Sequence, residues 1–345
     1  MSVLASSRTK GFRGGFRRVF LVLGPLVAIL QSSAIGAGGF LYTANEGGSI
    51  SKIDAGSNAL IRNIQLDGVV HNVQVSPNGD LLGAVLIPRT IPPRAKMGKM
   101  KGSALFFDTK DDRLAKSVTV GDHPAHIVFT PDGKYVLVTN SEDDTVSVID
   151  ARTYAIVQTI PTGKTPHGLR ISKDSRYAYI ANMGEDTVSV LDLGGLKEER
   201  RLKVGKIPVT TGITGDGRTL VVTLNAEDSL AIVDLSSGGV FKVEVGHGPA
   251  QVFIGPDNRF AFVANQGTEK QPSNTVSQVD LKSRKVVATI TVGKGAHGVV
   301  TDDRGRFVYV TDMFDDTVSV IDISRNRVIA TVPVGQTPNG ITYKD

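Results

Sequence analysis

The stretch "YVLVTNSEDDTVSVIDARTYAIVQTIPTG", beginning at Tyr135, returns in substance at Tyr177 as "YAYIANMGEDTVSVLDLGGLKEERRLKVG" and at Phe307 as "FVYVTDMFDDTVSVIDISRNRVIATVPVG". A repeat of about 42 residues restricts the chain to propellers, solenoids and similar arrays, because one such unit cannot bury its own apolar faces. Each copy has the same grammar. A short alternating segment ("HIVFT", "HGLRIS", "QVFIG") leads into a tight turn ("TPDG", "SKDS", "GPDN"). A β-branched and aromatic run follows, then a polar hairpin, a third run ending in aspartate, and a last strand closing on glycine. Period-two alternation with turns this close together predicts four antiparallel strands per copy.

The two ends decide between a closed and an open array. "FLYTANEGGSISKID", from Phe40, begins with the second strand of the pattern, and "QTPNGITYKD", at the end, is a first strand with nothing after it. Each fragment supplies what the other lacks. A ring closed in this way leaves no free sheet edge. The expected fold is therefore all-β: a seven-bladed β-propeller of four-stranded antiparallel blades, with blade 1 closed by pairing of the N- and C-terminal strands. Blades 2 to 7 start near His71, Asp122, Lys164, Lys206, His247 and Lys294.

At this level the chain resembles the YVTN-type β-propeller repeat proteins, through "YVLVTN…DDTVSVID", "YAYIAN…EDTVSVLD", "FAFVAN…NTVSQVD" and "FVYVTD…DDTVSVID". The resemblance runs over nearly everything after the first 37 residues. It implies the propeller and, from its bacterial members, an exported location. Wider relatives of such propellers include haem-binding and copper-containing ones, but a shared fold does not carry an activity.

Residues 1–37 read as a signal peptide ahead of a single domain at 38–345. Arg8, Lys10, Arg13, Arg17 and Arg18 precede the apolar run "VFLVLGPLVAIL" and the small-residue stretch "QSSAIGAGG", with cleavage expected between Ala34 and Gly38. The run is too short for the roughly 20 residues of a membrane span, so no stable membrane insertion is expected. "RRVFLV" also resembles a twin-arginine export signal, with Phe16 where a Ser or Thr is usual. The expected compartment is the periplasm.

The chain's 39 basic and 34 acidic residues give a net charge of +5, and the five leader cations account for that excess. What remains is near neutral, which removes the electrostatic case for nucleic acid. No cysteine is present, so disulfides and thiolate metal sites are excluded. Hydrolase elbows, zincin helices and Walker loops are absent from the sequence. The aspartates ending every third strand (Asp54, Asp108, Asp150, Asp192, Asp234, Asp280 and Asp322) recur too regularly for catalysis and read as turn acceptors. "EDD" at Glu142 and "FDD" at Phe314 likewise read as solvated turns.

Two features stand outside the repeat. Blade 2 carries the insertion "IPRTIPPRAKMGKMKG", Ile87 to Gly102, rich in Arg, Lys, Pro and Gly. A long insertion of this kind suits docking of a periplasmic protein or a small ligand, or simple tolerance of a mobile loop. Met97 and Met100 within it are candidate thioether ligands for cuprous copper.

The second feature is histidine placement. Aligned on the start of strand one, His71, His167 and His297 share one repeat position, in blades 2, 4 and 7. Asn339 fills it in blade 1, and His126 lies one residue later in blade 3. Strand one is innermost in a propeller, so these side chains are expected at a channel mouth. They could ligate copper or another transition metal, hold the polar edge of a cofactor or ligand, or order channel water. Three functions stay open. The first is an exported ligand- or partner-binding scaffold with a histidine-lined site. The second is a metal- or cofactor-dependent redox or cofactor-handling protein. The third, a lactonase-like hydrolase, rests on shared propeller form alone.

Overall fold

A computed structural model describes residues 38–89 and 100–345. The expected signal peptide, and Met97 with most of the blade 2 insertion, lie outside the described residues. Seven four-stranded antiparallel sheets make up the described chain. Their first strands are Val69–Val75, Pro124–Phe129, Pro166–Ile171, Pro208–Ile213, Pro249–Ile254, Ala296–Thr301 and Pro338–Lys344, and these contact one another in a closed ring. Blade 1 is completed from both ends: Phe40–Asn45 pairs with Pro338–Lys344 in the register Phe40↔Lys344 and Thr43↔Ile341.

The burial pattern follows from blade stacking. Second strands such as Tyr135–Asn140 are buried along nearly their whole length, because a neighbouring blade covers each face. Last strands such as Lys285–Thr291 alternate between exposed and covered positions. The core is accordingly divided into inter-blade clusters; one joins Val128 and Leu137 of blade 3 to Leu169 and Ile180 of blade 4. The repeated aspartates accept turn N–H groups, as with Asp150 from Thr153 (2.7 Å) and Asp280 from Ser283 (2.8 Å).

The last residue of the second strand shows how one repeat position is wired. Asn140, Asn182 and Asn265 each donate their amide to a Thr and a Ser hydroxyl on the third strand. Blade 7 has Asp312 instead, accepting from Thr317, Ser319 and the Gly293 N–H while fully buried. Burial raises this carboxyl to about 6, against the lowering effect of those hydrogen bonds. The folded state therefore keeps a proton that the unfolded chain releases near pH 4. Stability attributable to Asp312 falls as pH rises from about 4 to 6, and the penalty, on the order of 2–3 kcal/mol, is complete above that window. Asp312→Asn is expected to raise the melting temperature at pH 7.5 and leave it nearly unchanged at pH 4; equal effects at both pH values would contradict this assignment.

Candidate functional site

Every inner strand carries a register shift near its start. In blade 4 it falls between Pro166 and Leu169, and in blade 3 between Pro124 and Ile127. Such a bulge sets two residues against one and re-aims their side chains. This local irregularity brings together histidines that are not in one repeat register. His71 and His167 present Nε2 atoms 3.2 Å apart. His126 joins them, with ring centroids 4.9 Å from His167 and 6.2 Å from His71. One nitrogen from each of His71, His126 and His167 lies within 4.8 Å of the others.

The remaining ring nitrogens are mostly fixed from outside. His71 Nδ1 is 2.9 Å from the Glu46 carboxylate, and His167 Nδ1 is 3.2 Å from the Val209 carbonyl. Both partners are acceptors, so neutral rings carry hydrogen on Nδ1. The two Nε2 lone pairs then face each other at hydrogen-bond distance with nothing to share. His126 is fully buried with neither nitrogen partnered. A buried, unsatisfied polar group of this kind costs about 1–3 kcal/mol. A proton shared by His71 and His167 would satisfy that pair and leave His126 bare. A metal ion would satisfy all three rings.

Burial favours the neutral, ligating forms of His126 and His167. Burial, followed by the neighbouring His71 and His297, lowers His167 to about 3. Burial, followed by His167, holds His126 well below the usual imidazole range. Burial pushes the Glu46 carboxyl up, but the hydrogen bond and charge of His71, with the Asn339 amide, outweigh it and leave Glu46 below its ordinary value. Glu46 thus remains an acceptor able to orient His71.

The trio that shares a repeat position is not the trio the fold assembles. His297 stands outside the close cluster, its Nδ1 3.4 Å from the Asn339 carbonyl and 3.5 Å from Gln251 Nε2, and burial chiefly lowers it to about 4. His126 takes the third place. Asn339 acts from behind, donating to Glu46 at 2.8 Å. Met100 lies at the foot of the blade 2 hairpin, where its carbonyl accepts from the His123 N–H at 3.4 Å. Glu46 is a site residue that repeat alignment misses; it sits in "NEGG", a stretch that reads only as a hairpin turn. Two bonds near 2.1 Å to one ion put their nitrogens at most about 4.2 Å apart, so seating a metal requires a small inward movement of the widest pair.

A family model described as YNCE-like beta-propeller matches residues 109–345. Among solved structures, a chain of the hydrazine synthase of Kuenenia stuttgartiensis superimposes with a TM-score of 0.69 at 23% identity, covering 81% of this chain and 90% of that one. At that identity the likeness shows the fold. No curated protein sequence matches the chain significantly.

Proposed function

The chain belongs to the YNCE-like beta-propeller family, and within that scaffold we propose that it is an exported, periplasmic binding protein holding one transition-metal ion at a channel mouth through His71, His126 and His167. The observation that carries this reading is the opposed Nε2 pair, each ring turned by an acceptor at Nδ1, with an unpartnered imidazole alongside. Three neutral imidazoles suit Cu(II) and Zn(II), and the general affinity order puts copper above zinc. A three-residue donor set leaves room for a further, exogenous ligand. Glu46 fixes the tautomer of His71, and the Val209 carbonyl fixes that of His167.

Titration of the untagged protein with Cu(II) and Zn(II) tests this. One equivalent should bind. Two of the three ligands already lie deprotonated far below 6.5, so between pH 6.5 and 5 the affinity should fall with a slope of no more than about one proton. A slope near three, or binding of several weak equivalents, would contradict a buried site.

The blade 2 insertion supports a second component of this reading, docking of a periplasmic partner. The flanking strands pair in the register Leu86↔Ser103, so Ile87 and Gly102 fall opposite each other. Replacing residues 88–101 by Asn-Gly therefore gives a two-residue hairpin in register. This variant should melt within about 5 °C of the parent, since it removes the hydrogen bonds of Arg89 to the Glu46 carbonyl and of His123 to the Met100 carbonyl, each worth about 0.5–1.5 kcal/mol. It should lose partners that crosslink to the parent in periplasmic extracts. Failure to fold would make the segment structural, and unchanged crosslinking would remove docking.

A further inference from the structure

Three residues beyond the histidine position, the inner strands build another layer of the channel. There the ring contributes Thr342, Gln74 and Arg170 from blades 1, 2 and 4, and Phe253 from blade 6. These residues, with Asn72 and Gln251, line a cavity of about 50 Å³, enough for a small polyatomic ion in place of a few waters. Arg170 is the charged group of this lining, and no carboxylate lines it. Its one hydrogen bond to protein among the described residues is from Nη1 to the Leu169 carbonyl at 2.9 Å. Its guanidinium also lies 5.9 Å from the centre of the Phe253 ring. None of the ion pairs among the described residues includes it.

The polar neighbours are turned to match. The Gln74 carbonyl oxygen accepts the Phe129 N–H at 2.6 Å, and the Asn72 carbonyl oxygen accepts the Ile127 N–H at 3.3 Å. Each side-chain amide thus has its oxygen committed to a neighbouring blade, and its NH₂ group is the end left over. Thr342 Oγ1 accepts the Val75 N–H at 3.3 Å, which leaves its hydroxyl hydrogen free to donate. A cavity lined by one guanidinium, the amide N–H groups of Asn72 and Gln74 and a hydroxyl offers donors without a negative partner, while Gln251 turns its Nε2 to His297 at 3.5 Å and is not among them. Burial lowers the Arg170 guanidinium to about 10, as expected for a cation short of counter-charge.

We propose that this cavity is a binding site for a small planar oxyanion of the nitrate, formate or bicarbonate class, held by the Arg170 guanidinium and the amides of Asn72 and Gln74. The flat, forked guanidinium pairs with two oxygens of such an ion at once, which a spherical halide cannot exploit. The cavity volume excludes larger organic anions. Arg170 follows His167 on the same strand, yet the site needs no metal ion.

The test is thermal denaturation of the full protein in sodium nitrate, formate or chloride, with ionic strength held by sodium gluconate. The wild type should show a saturable rise, roughly 5 °C at 100 times the dissociation constant, with nitrate and formate effective at lower concentration than chloride. Arg170→Gln should lose the saturable rise. Arg170→Lys, which keeps the charge without the fork, should bind but lose the preference for planar ions, and it serves if the glutamine variant folds poorly. His71→Ala should keep the full anion response, so that failure of the metal reading and failure of this one are separable. No response in the wild type, or the same planar-ion preference after either Arg170 substitution, would overturn the proposal.

Discussion

Truncation after Gly335 is expected to abolish cooperative folding, or to lower the melting temperature by more than any single-loop deletion. The ten residues removed contain the whole inner strand of blade 1, whose ladder with Phe40–Asn45 is the only pairing that joins the two ends of the chain among the described residues. The same strand also contacts the inner strands of blades 7 and 2. Ile341 packs with Leu41, Tyr309 and Val320, and Tyr343 stacks on Tyr309 at 6.1 Å. Thr311 donates to the Asn339 carbonyl at 2.8 Å and the Val75 N–H to Thr342 at 3.3 Å. Losing two large apolar side chains costs about 3–6 kcal/mol. The newly unpaired edge and partnerless polar groups add to that. Net stabilities of about 5–15 kcal/mol leave little margin. Urea melts of the truncated and full chains decide the matter: coincident curves would mean that the ring is not held by its ends.

Metal affinity should respond to the structural trio and not to the repeat-position trio. His71→Ala, His126→Ala and His167→Ala are each expected to weaken Cu(II) or Zn(II) binding by more than about 100-fold, since even outer hydrogen-bonding partners are worth roughly 10–100-fold. Glu46→Gln, which keeps the shape but weakens the acceptor on His71 Nδ1, should fall in that 10–100-fold range. His297→Ala should cost less than about tenfold, because its Nδ1 is engaged by Asn339 and Gln251 outside the cluster. His126 adds a signature that a purely structural histidine would lack. Its nitrogens are buried and unpartnered, so His126→Leu should melt above the metal-free parent by roughly the 1–3 kcal/mol of an unsatisfied polar group. The same substitution should erase metal binding. Competition titrations and metal-free melts check both halves; a destabilised His126→Leu that still binds metal would refute the assignment.

The blade number and ring closure were legible because they depend on features that recur. The seven strand-three aspartates and the tight turns of Asn, Asp, Ser and Gly repeat with the blades, and the complementary end fragments close the ring. The site was legible only in part, because it is built from departures. His71 and His167 stood out by sharing a position, but His297 shares it too and lies outside the cluster. His126 looked displaced by one residue, and the inner-strand bulge that restores it leaves no mark in an alternating pattern. Glu46 is hidden in a turn composition that explains itself without function. Arg170, in "HGLRIS", reads as an ordinary outward polar residue; only ring closure turns that side of the strand into a channel. The Asn-to-Asp change at residue 312 was visible in the repeat, while its energetic weight depends on complete burial.

Coordination of one metal ion by His71, His126 and His167 can be read from K-edge absorption spectroscopy of the protein loaded with one equivalent of Zn(II) or Cu(II). Three imidazole nitrogens at about 2.0–2.1 Å, showing the outer-ring scattering of histidine, and one further light ligand are expected around the metal. His126→Ala should reduce the histidine scattering by a third or abolish loading. A first shell of oxygen alone, or a three-histidine shell that persists in His126→Ala and disappears in His297→Ala, would contradict this coordination.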